Sequence, residues 1–161
     1  MFAEIRAGVT FAGEEGVNAA MRKRRHRWLD HTSEVQLQVE AESLAGLAAE
    51  AGRALGLLLL RDEVHDVPAR LEGPAREIQV ESVDREALLV DWLNEILFLA
   101  EVERWVAVEF DILEISSTHL EARALGVPVE ESPALVKAAT FHGLAVEERA
   151  GGLQAEVIFD V

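Results

Sequence analysis

Residues 30–34 form a polar stretch directly before a predicted strand. Within it, His31 could offer a nitrogen ligand and Glu34 an oxygen ligand from one tight turn, with Asp30 beside them. The alternative is structural, with Asp30 or Ser33 shaping the turn and His31 half-buried and hydrogen-bonded. Spacing alone leaves both interpretations open.

The last two residues of the chain could bring further oxygen ligands close together. A strand that continues to Val161 would bring its main-chain carboxylate beside the side chain of Asp160. Together with Glu34, these hard oxygen atoms would suit Ca²⁺ or Mg²⁺ rather than a soft metal. The alternative is a frayed acidic end.

Lys137 is the only lysine that follows Lys23 in the chain. An ammonium group near carboxylates or phosphates acts as a point charge, unlike the planar guanidinium of arginine. The pattern fits both a functional lysine and one retained by chance. His142, just before Gly143, is more typical of a structural histidine than of a metal ligand.

The composition excludes several classes of function. The net charge is −15, from 30 acidic and 15 basic residues, which disfavours binding to a phosphate backbone. The absence of cysteine excludes disulfides, thiolate metal sites and cysteine nucleophiles. The sequence also lacks a Gly-rich phosphate loop, a GxSxG elbow and an HExxH motif. After residue 27 it has no basic stretch interleaved with aromatic residues.

Five of the 15 basic residues fall in one short run. They are Arg22, Lys23, Arg24, Arg25 and Arg27. The run could be a solvated tail, a contact for RNA or an acidic partner, or the beginning of the protein at Met21. These interpretations are not exclusive.

Apolar periodicity predicts the elements that must position these residues. Strands are predicted at 35–41, 77–81, 106–112, 120–124, 134–141, 143–149 and 153–160, and a loop at 61–74. Ser43 and Asp84 are predicted N-caps of two helices, the second ending near Glu103. The period slips at Leu113, which indicates a bulge or a strand end. The fold class is therefore α+β, with two helices packed on a largely antiparallel sheet.

The sequence shows no targeting or membrane signal. Its uninterrupted apolar runs, such as Leu57–Leu60 and Ile96–Ala100, are far too short to span a bilayer. Residues 1–20 lack the charged and apolar order of a signal peptide. We therefore expect a soluble cytoplasmic protein.

Four motifs in sequence order resemble the archease family. LDHTSEVQLQVEA resembles the stretch around the family's HTAD core, and ALLVDWLNEILFLAE resembles its LLxxWLNELL helix. VKAATFHGLAVEE resembles VKAVTYHGL, and the ending VIFDV resembles the closing VIFD plus one aliphatic residue. The resemblance covers residues 28–161 as a single domain, and residues 1–27 lie outside it as a disordered extension or a misassigned start.

The resemblance implies an architecture and a function. The fold would consist of two strand–helix–strand–strand modules, one inserted in the other. The protein would be a non-enzymatic cofactor or chaperone of an RtcB-type RNA ligase in tRNA splicing and RNA repair. It would promote guanylylation and multiple turnover of the ligase, without membrane attachment and without direct nucleic-acid binding by its acidic body.

The resemblance also assigns residues. It places a divalent cation, Ca²⁺ first and Mg²⁺ second, on Glu34, Asp160 and the carboxylate of Val161. Lys137 corresponds to the family lysine, and we expect it to serve ligase activation or partner contact together with the residues Asp30, His31 and His142. The chain departs from the family where Glu34 replaces the aspartate of the HTAD core and Ser33 its alanine.

Two alternatives remain beside this interpretation. One is a chaperone or modulator of another RNA-processing enzyme, such as a tRNA methyltransferase. The other is a metal-dependent hydrolase that uses His31, Glu34 and His142 around an open coordination position. The hydrolase requires these three side chains to converge in one pocket.

Overall fold

The computed structural model describes residues 24–30, 33–60, 71, 73–133 and 136–161, with Asp30 described by its main chain alone. His31, the first two residues of the basic run (Arg22 and Lys23) and most of the predicted 61–74 loop therefore lie outside the described residues. Among the described residues, no helix is long and apolar enough to cross a membrane.

The described part of the chain folds into two helices and seven strands. The strands are β1 (Arg25–Asp30), β2 (Glu34–Ala41), β3 (Arg76–Glu81), β4 (Trp105–Ile115), β5 (His119–Pro128), β6 (Ala138–Arg149) and β7 (Gly152–Asp160). The helices are α1 (Leu44–Leu60) and α2 (Arg85–Val102). The predicted α+β class is confirmed.

The strands form two antiparallel sheets with matching connectivity. One sheet has the order β1-β2-β7-β6, and the other has the order β3-β5-β4. Without β1, each sheet places the third strand of its module between the first and the second. The module β3-α2-β4-β5 is inserted between α1 and β6, which is the nested strand–helix–strand–strand arrangement that the resemblance implied.

Both helices begin directly after their predicted N-cap residues. Ser43 Oγ accepts a hydrogen bond from the main-chain N–H of Gly46 at 3.0 Å, and Asp84 Oδ1 accepts one from that of Ala87 at 2.8 Å. These bonds satisfy main-chain donors that the first turn of a helix leaves without partners.

The core lies where the two helices meet both sheets. Trp28 of β1 stacks at a tilt on Phe159 of β7, with ring centroids 5.6 Å apart. Trp92 of α2 packs edge-on against Phe110, and its Nε1–H donates to the carbonyl oxygen of Ala48 in α1 at 2.8 Å. The indole of Trp92 therefore joins both helices to β4.

The close approach of α1 to β4 depends on Gly56. A Cβ atom at this position would lie 2.2 Å from the carbonyl oxygen of Ala107. That distance is far inside van der Waals contact with a main-chain atom, so no side chain fits here.

Two strands differ from the prediction. β1 begins at Arg25, so part of the basic run is a strand, in which Arg25 pairs with Glu40 and His26 is buried. The strands predicted at 134–141 and 143–149 are one strand, β6, that is interrupted between Thr140 and Ala145. Gly143 adopts a φ of +64° within this interruption, a conformation that favours glycine.

Candidate metal and partner-binding site

Glu34 and Asp160 are direct neighbours across two strands. They are register partners in the antiparallel pair β2–β7, and their neighbours Val35 and Phe159 are fully buried. Since directly opposed residues point to the same face of a sheet, both carboxylates lie on the face opposite to the core. The chain therefore brings these two predicted ligands together, although 126 positions separate them.

The final residue is tied to the same corner of the sheet. The main-chain N–H of Val161 donates to the carbonyl oxygen of Ser33 at 3.4 Å, and Val161 is half-buried against the core. The main-chain N–H of Lys137 donates to the carbonyl oxygen of Asp160 at 2.8 Å. Four of the predicted site residues therefore meet where β2 and β6 begin and β7 ends. This group, here called the acidic corner, consists of Glu34, Lys137, Asp160 and Val161.

The electrostatics of this corner favour a cation. Within the described part of the chain, neither Glu34 nor Asp160 forms an ion pair with a basic side chain. Like charges directly opposed on a sheet are destabilising. A divalent cation would relieve this repulsion, and carboxylate oxygens are the ligands that Ca²⁺ prefers.

Of the remaining predicted contact residues, the structure describes His142 and the main chain of Asp30. Asp30 ends β1 and pairs with Val35, and His31 lies outside the described residues. His142 is exposed in the interruption of β6, where its main-chain N–H donates to Thr140 Oγ1 at 3.4 Å. Among the described residues, no ion pair joins His142 to Glu34 or Asp160.

The sequence analysis missed Asn94 as a residue that positions the site. Asn94 of α2 binds the main chain of Ala139, two residues after Lys137, and so holds the start of β6. The only signal in the sequence was its position in the WLNE motif, on the narrow polar stripe of an otherwise apolar helix.

The buried pair His26–Glu50 was also missed. His26 Nδ1 lies 2.7 Å from Glu50 Oε1, and the two residues are 4% and 2% exposed. A charged residue of a helix ordinarily lies on its exposed face, but β1 covers this part of α1 with His26.

The fold and the site together define a class of two-module α+β proteins with an acidic corner. The family model described as "Archease protein family (MTH1598/TM1083)" matches residues 26–161. The chain belongs to the archease family.

Its relatives agree with this assignment over most of the chain. A protein archease of Methanosarcina barkeri is 31% identical over 149 residues, covering 86% of this chain and 97% of the relative. A protein archease of Methanosarcina mazei is 31% identical over 147 residues, with the same coverage of 86% and 97%.

Two solved structures share the fold. The solution structure of protein 1598 of Methanobacterium thermoautotrophicum superposes with a TM-score of 0.64 at 25% identity, covering 84% of this chain and 98% of that protein. The crystal structure of an archease from Thermotoga maritima, described as a possible chaperone, gives a TM-score of 0.53 at 20% identity, with coverage of 83% and 94%.

Proposed function

We propose that this chain is a non-enzymatic cofactor of an RtcB-type RNA ligase. It would promote guanylylation of the ligase and so permit repeated turnover in tRNA splicing and RNA repair, in the cytoplasm. Membership of the archease family supports this proposal. The structural observation that carries it is the pairing of Glu34 with Asp160 beside Lys137 and Val161.

The metal-binding part of the proposal uses the two carboxylates and the chain terminus. Glu34, Asp160 and the main-chain carboxylate of Val161 would hold a Ca²⁺ or, as the second choice, a Mg²⁺ ion. The donor set is chemically suitable because it consists of hard oxygen atoms, and three carboxylates can supply much of the oxygen shell of Ca²⁺. Glu34 is one methylene longer than the aspartate of the family and remains an oxygen ligand.

Lys137 would act next to this cation. Its ammonium group is exposed, and its main chain is fixed to Asp160. A mobile point charge here could offset the carboxylates while no cation is bound, or contact a phosphate of the nucleotide that the ligase uses. Asp30, His31 and His142 would extend the contact surface around it.

The acidity of the chain fits a protein partner better than an RNA partner. With a net charge of −15, direct competition for the RNA substrate would be electrostatically unfavourable. An acidic surface would instead approach basic regions of a ligase that themselves bind RNA and nucleotide, and complementary charge would raise the rate of association.

The test is a guanylylation assay with the ligase encoded in the same genome. We expect the chain to accelerate ligase guanylylation under multiple turnover, and Asp160→Ala to remove most of the acceleration. Glu148→Ala is a matched control because Glu148 is an exposed carboxylate of the same sheet, near the other end of β6. Absence of acceleration by the unchanged chain would refute the proposal, and full acceleration by Asp160→Ala would refute the metal-binding part.

Two further measurements on the purified chain separate this proposal from the two alternatives. If an affinity-tagged chain recovers a tRNA methyltransferase and no ligase, modulation of another RNA-processing enzyme is favoured. The hydrolase alternative predicts metal-dependent hydrolysis that is lost in His142→Ala. It gains no support from the described residues, because His142 lies in the interruption of β6 and forms no ion pair with Glu34.

A further inference from the structure

Three metal-ligating side chains converge on the three-stranded sheet, beside the β4–β5 turn. Glu114, His119 and Glu121 each offer one ligand atom, and these atoms all lie within 4.8 Å of one another. The group, here called the hairpin cluster, shares no residue with the acidic corner of the other sheet. It combines an imidazole nitrogen with two carboxylates, so it is not merely an acidic patch.

A β-bulge brings the hairpin cluster together. Ile112 pairs with Ala122, but Leu113 is skipped and Glu114 becomes the direct partner of Glu121. Without the extra residue, Glu114 would face Leu120 and point to the other side of the sheet. Bulges are known to re-aim side chains in this way next to functional sites.

A neighbouring residue orients one of the three ligands, and a second carboxylate lies close to the histidine. Glu121 Oε1 accepts a hydrogen bond from Gln79 Nε2 at 2.6 Å, and Glu121 Oε2 lies 3.9 Å from His119 Nε2. The other ring nitrogen, Nδ1, lies 3.8 Å from Glu81 Oε1 on β3. A carboxylate ligand held by an amide hydrogen bond is a feature of the outer shell of protein metal sites, and here Gln79 supplies it to Glu121.

The main chain of His119 is fixed at both of its polar atoms. Its N–H donates to Ser116 Oγ at 3.1 Å, and its carbonyl oxygen accepts from the N–H of Ser116 at 2.8 Å. The imidazole therefore projects from a closed turn and not from a loose loop, which lowers the cost of ordering a ligand.

The spacing suits a small tetrahedral ion. Zinc bonds of about 2.0–2.2 Å to nitrogen and oxygen place ligand atoms roughly 3.3–3.6 Å apart. The 3.9 Å between His119 Nε2 and Glu121 Oε2 is longer, and the three ligand atoms lie within 4.8 Å of one another. Small side-chain rotations would close the difference, since all three residues reach the surface.

The carboxylates in and beside the hairpin cluster also favour binding of a cation. Glu114 and Glu121 are directly opposed, and Glu81 lies behind the same histidine. Among the described residues, His119 is the only basic side chain within ion-pair distance of these three carboxylates, and no arginine or lysine pairs with them. Opposed like charges weaken a sheet, and a divalent ion would remove that cost.

We propose that the hairpin cluster is a binding site for a borderline divalent transition metal of the Zn²⁺ class. An imidazole together with carboxylates favours such an ion over Ca²⁺, which prefers oxygen ligands alone. The site goes beyond the proposed ligase function and would lie on a different sheet from the Ca²⁺ ligands.

Calorimetric titration of the full chain with Zn²⁺, in excess Ca²⁺, tests the proposal. We expect one Zn²⁺ per chain, with binding weakened at least tenfold in His119→Gln and in Glu121→Gln. Gln79→Ala should weaken it about 10- to 100-fold, as outer-shell changes do. Glu77→Gln is the matched control, because it removes a carboxylate of β3 that pairs with Arg123 and lies outside the cluster.

Several results would overturn the inference. These are no stoichiometric Zn²⁺ binding, equal binding by His119→Gln, and an equal loss in Glu77→Gln. Thermal unfolding without metal must show that each variant is folded, and Glu114→Gln provides a further variant if one fails. Loss of Zn²⁺ binding in Asp160→Ala would place the ion at the acidic corner, refuting this inference while leaving the proposed function intact.

Discussion

The side-chain amide of Asn94 forms both of its hydrogen bonds with the main chain of Ala139. Its Oδ1 accepts from the N–H of Ala139 at 2.8 Å, and its Nδ2 donates to the carbonyl oxygen at 3.3 Å. β6 is an edge strand, so polar main-chain groups on its outer side need partners from elsewhere. Helix α2 thereby fixes the strand that begins directly after Lys137.

Removing this amide should loosen the start of β6. We expect Asn94→Ala to lower the free energy of unfolding by about 1–3 kcal/mol, because it leaves polar main-chain groups of Ala139 without partners. Urea denaturation measures the change. Glu101→Ala, at an exposed position of the same helix, should change stability by less than about 0.5 kcal/mol. If Asn94→Ala and the unchanged chain unfold at the same urea concentration, Asn94 does not stabilise the start of β6.

Asn94→Asp tests the two hydrogen bonds separately, because it keeps one of them and removes the other. Aspartate can still accept from the N–H of Ala139, but it cannot donate to the carbonyl oxygen 3.3 Å away and places a negative charge beside it. We therefore expect this variant to unfold at a lower urea concentration than the unchanged chain, although it keeps the size of the side chain. A variant of unchanged stability would mean that the acceptor bond alone holds β6.

Gly56→Ala gives a second stability prediction, in which a steric clash and helix propensity act in opposite directions. Alanine is about 1 kcal/mol better than glycine within a helix. Even so, Gly56→Ala should lower the melting temperature, because its Cβ would lie 2.2 Å from the main-chain oxygen of Ala107. Gly52→Ala is the matched control, since its Cβ would meet the side-chain atoms of Phe110 and Ile96 at 2.9 and 3.0 Å, which can move. Greater destabilisation by Gly52→Ala would contradict this account.

Local patterns predicted much of the fold because the elements concerned obey local rules. Strict alternation identified β2, and hydroxyl or carboxylate caps identified the starts of α1 and α2. The phase slip at Leu113 correctly indicated the bulge, since a skipped residue shifts every later side chain to the other face. β1 was missed because its inward residues include His26, a polar residue buried through a partner on another element.

The acidic corner and the hairpin cluster differ in what sequence could provide. The pairing of Glu34 with Asp160 depends on β7 lying next to β2, a contact across most of the chain. Residue types suggested grouping the two carboxylates, but no local pattern predicted that their strands are neighbours. Glu114, His119 and Glu121 are close in sequence. Their convergence nevertheless required the register after the bulge, which alternation in one strand does not determine.

The buried pair His26–Glu50 should contribute strongly to stability. We expect Glu50→Ala to lower the free energy of unfolding by at least about 1–3 kcal/mol, because it removes a buried hydrogen-bond partner of His26. The double variant His26→Leu/Glu50→Leu should be less destabilised than the sum of its two single variants, since coupled contacts are non-additive. Chemical denaturation of all four chains measures the coupling, and strict additivity would argue that the 2.7 Å contact contributes nothing.

Neutralising Glu34 tests the acidic corner independently of the ligase. Glu34→Gln preserves the length of the side chain but removes the charge opposite Asp160, so Ca²⁺ binding followed by calorimetry should weaken about tenfold or more. Glu34→Asp, which restores the residue of the family motif, should retain binding because it keeps a hard oxygen ligand. Glu148→Gln, on the same sheet and away from the corner, should bind Ca²⁺ like the unchanged chain. If Glu34→Gln and Glu148→Gln bind Ca²⁺ equally well, Glu34 is not a ligand and the departure from the family aspartate has removed one.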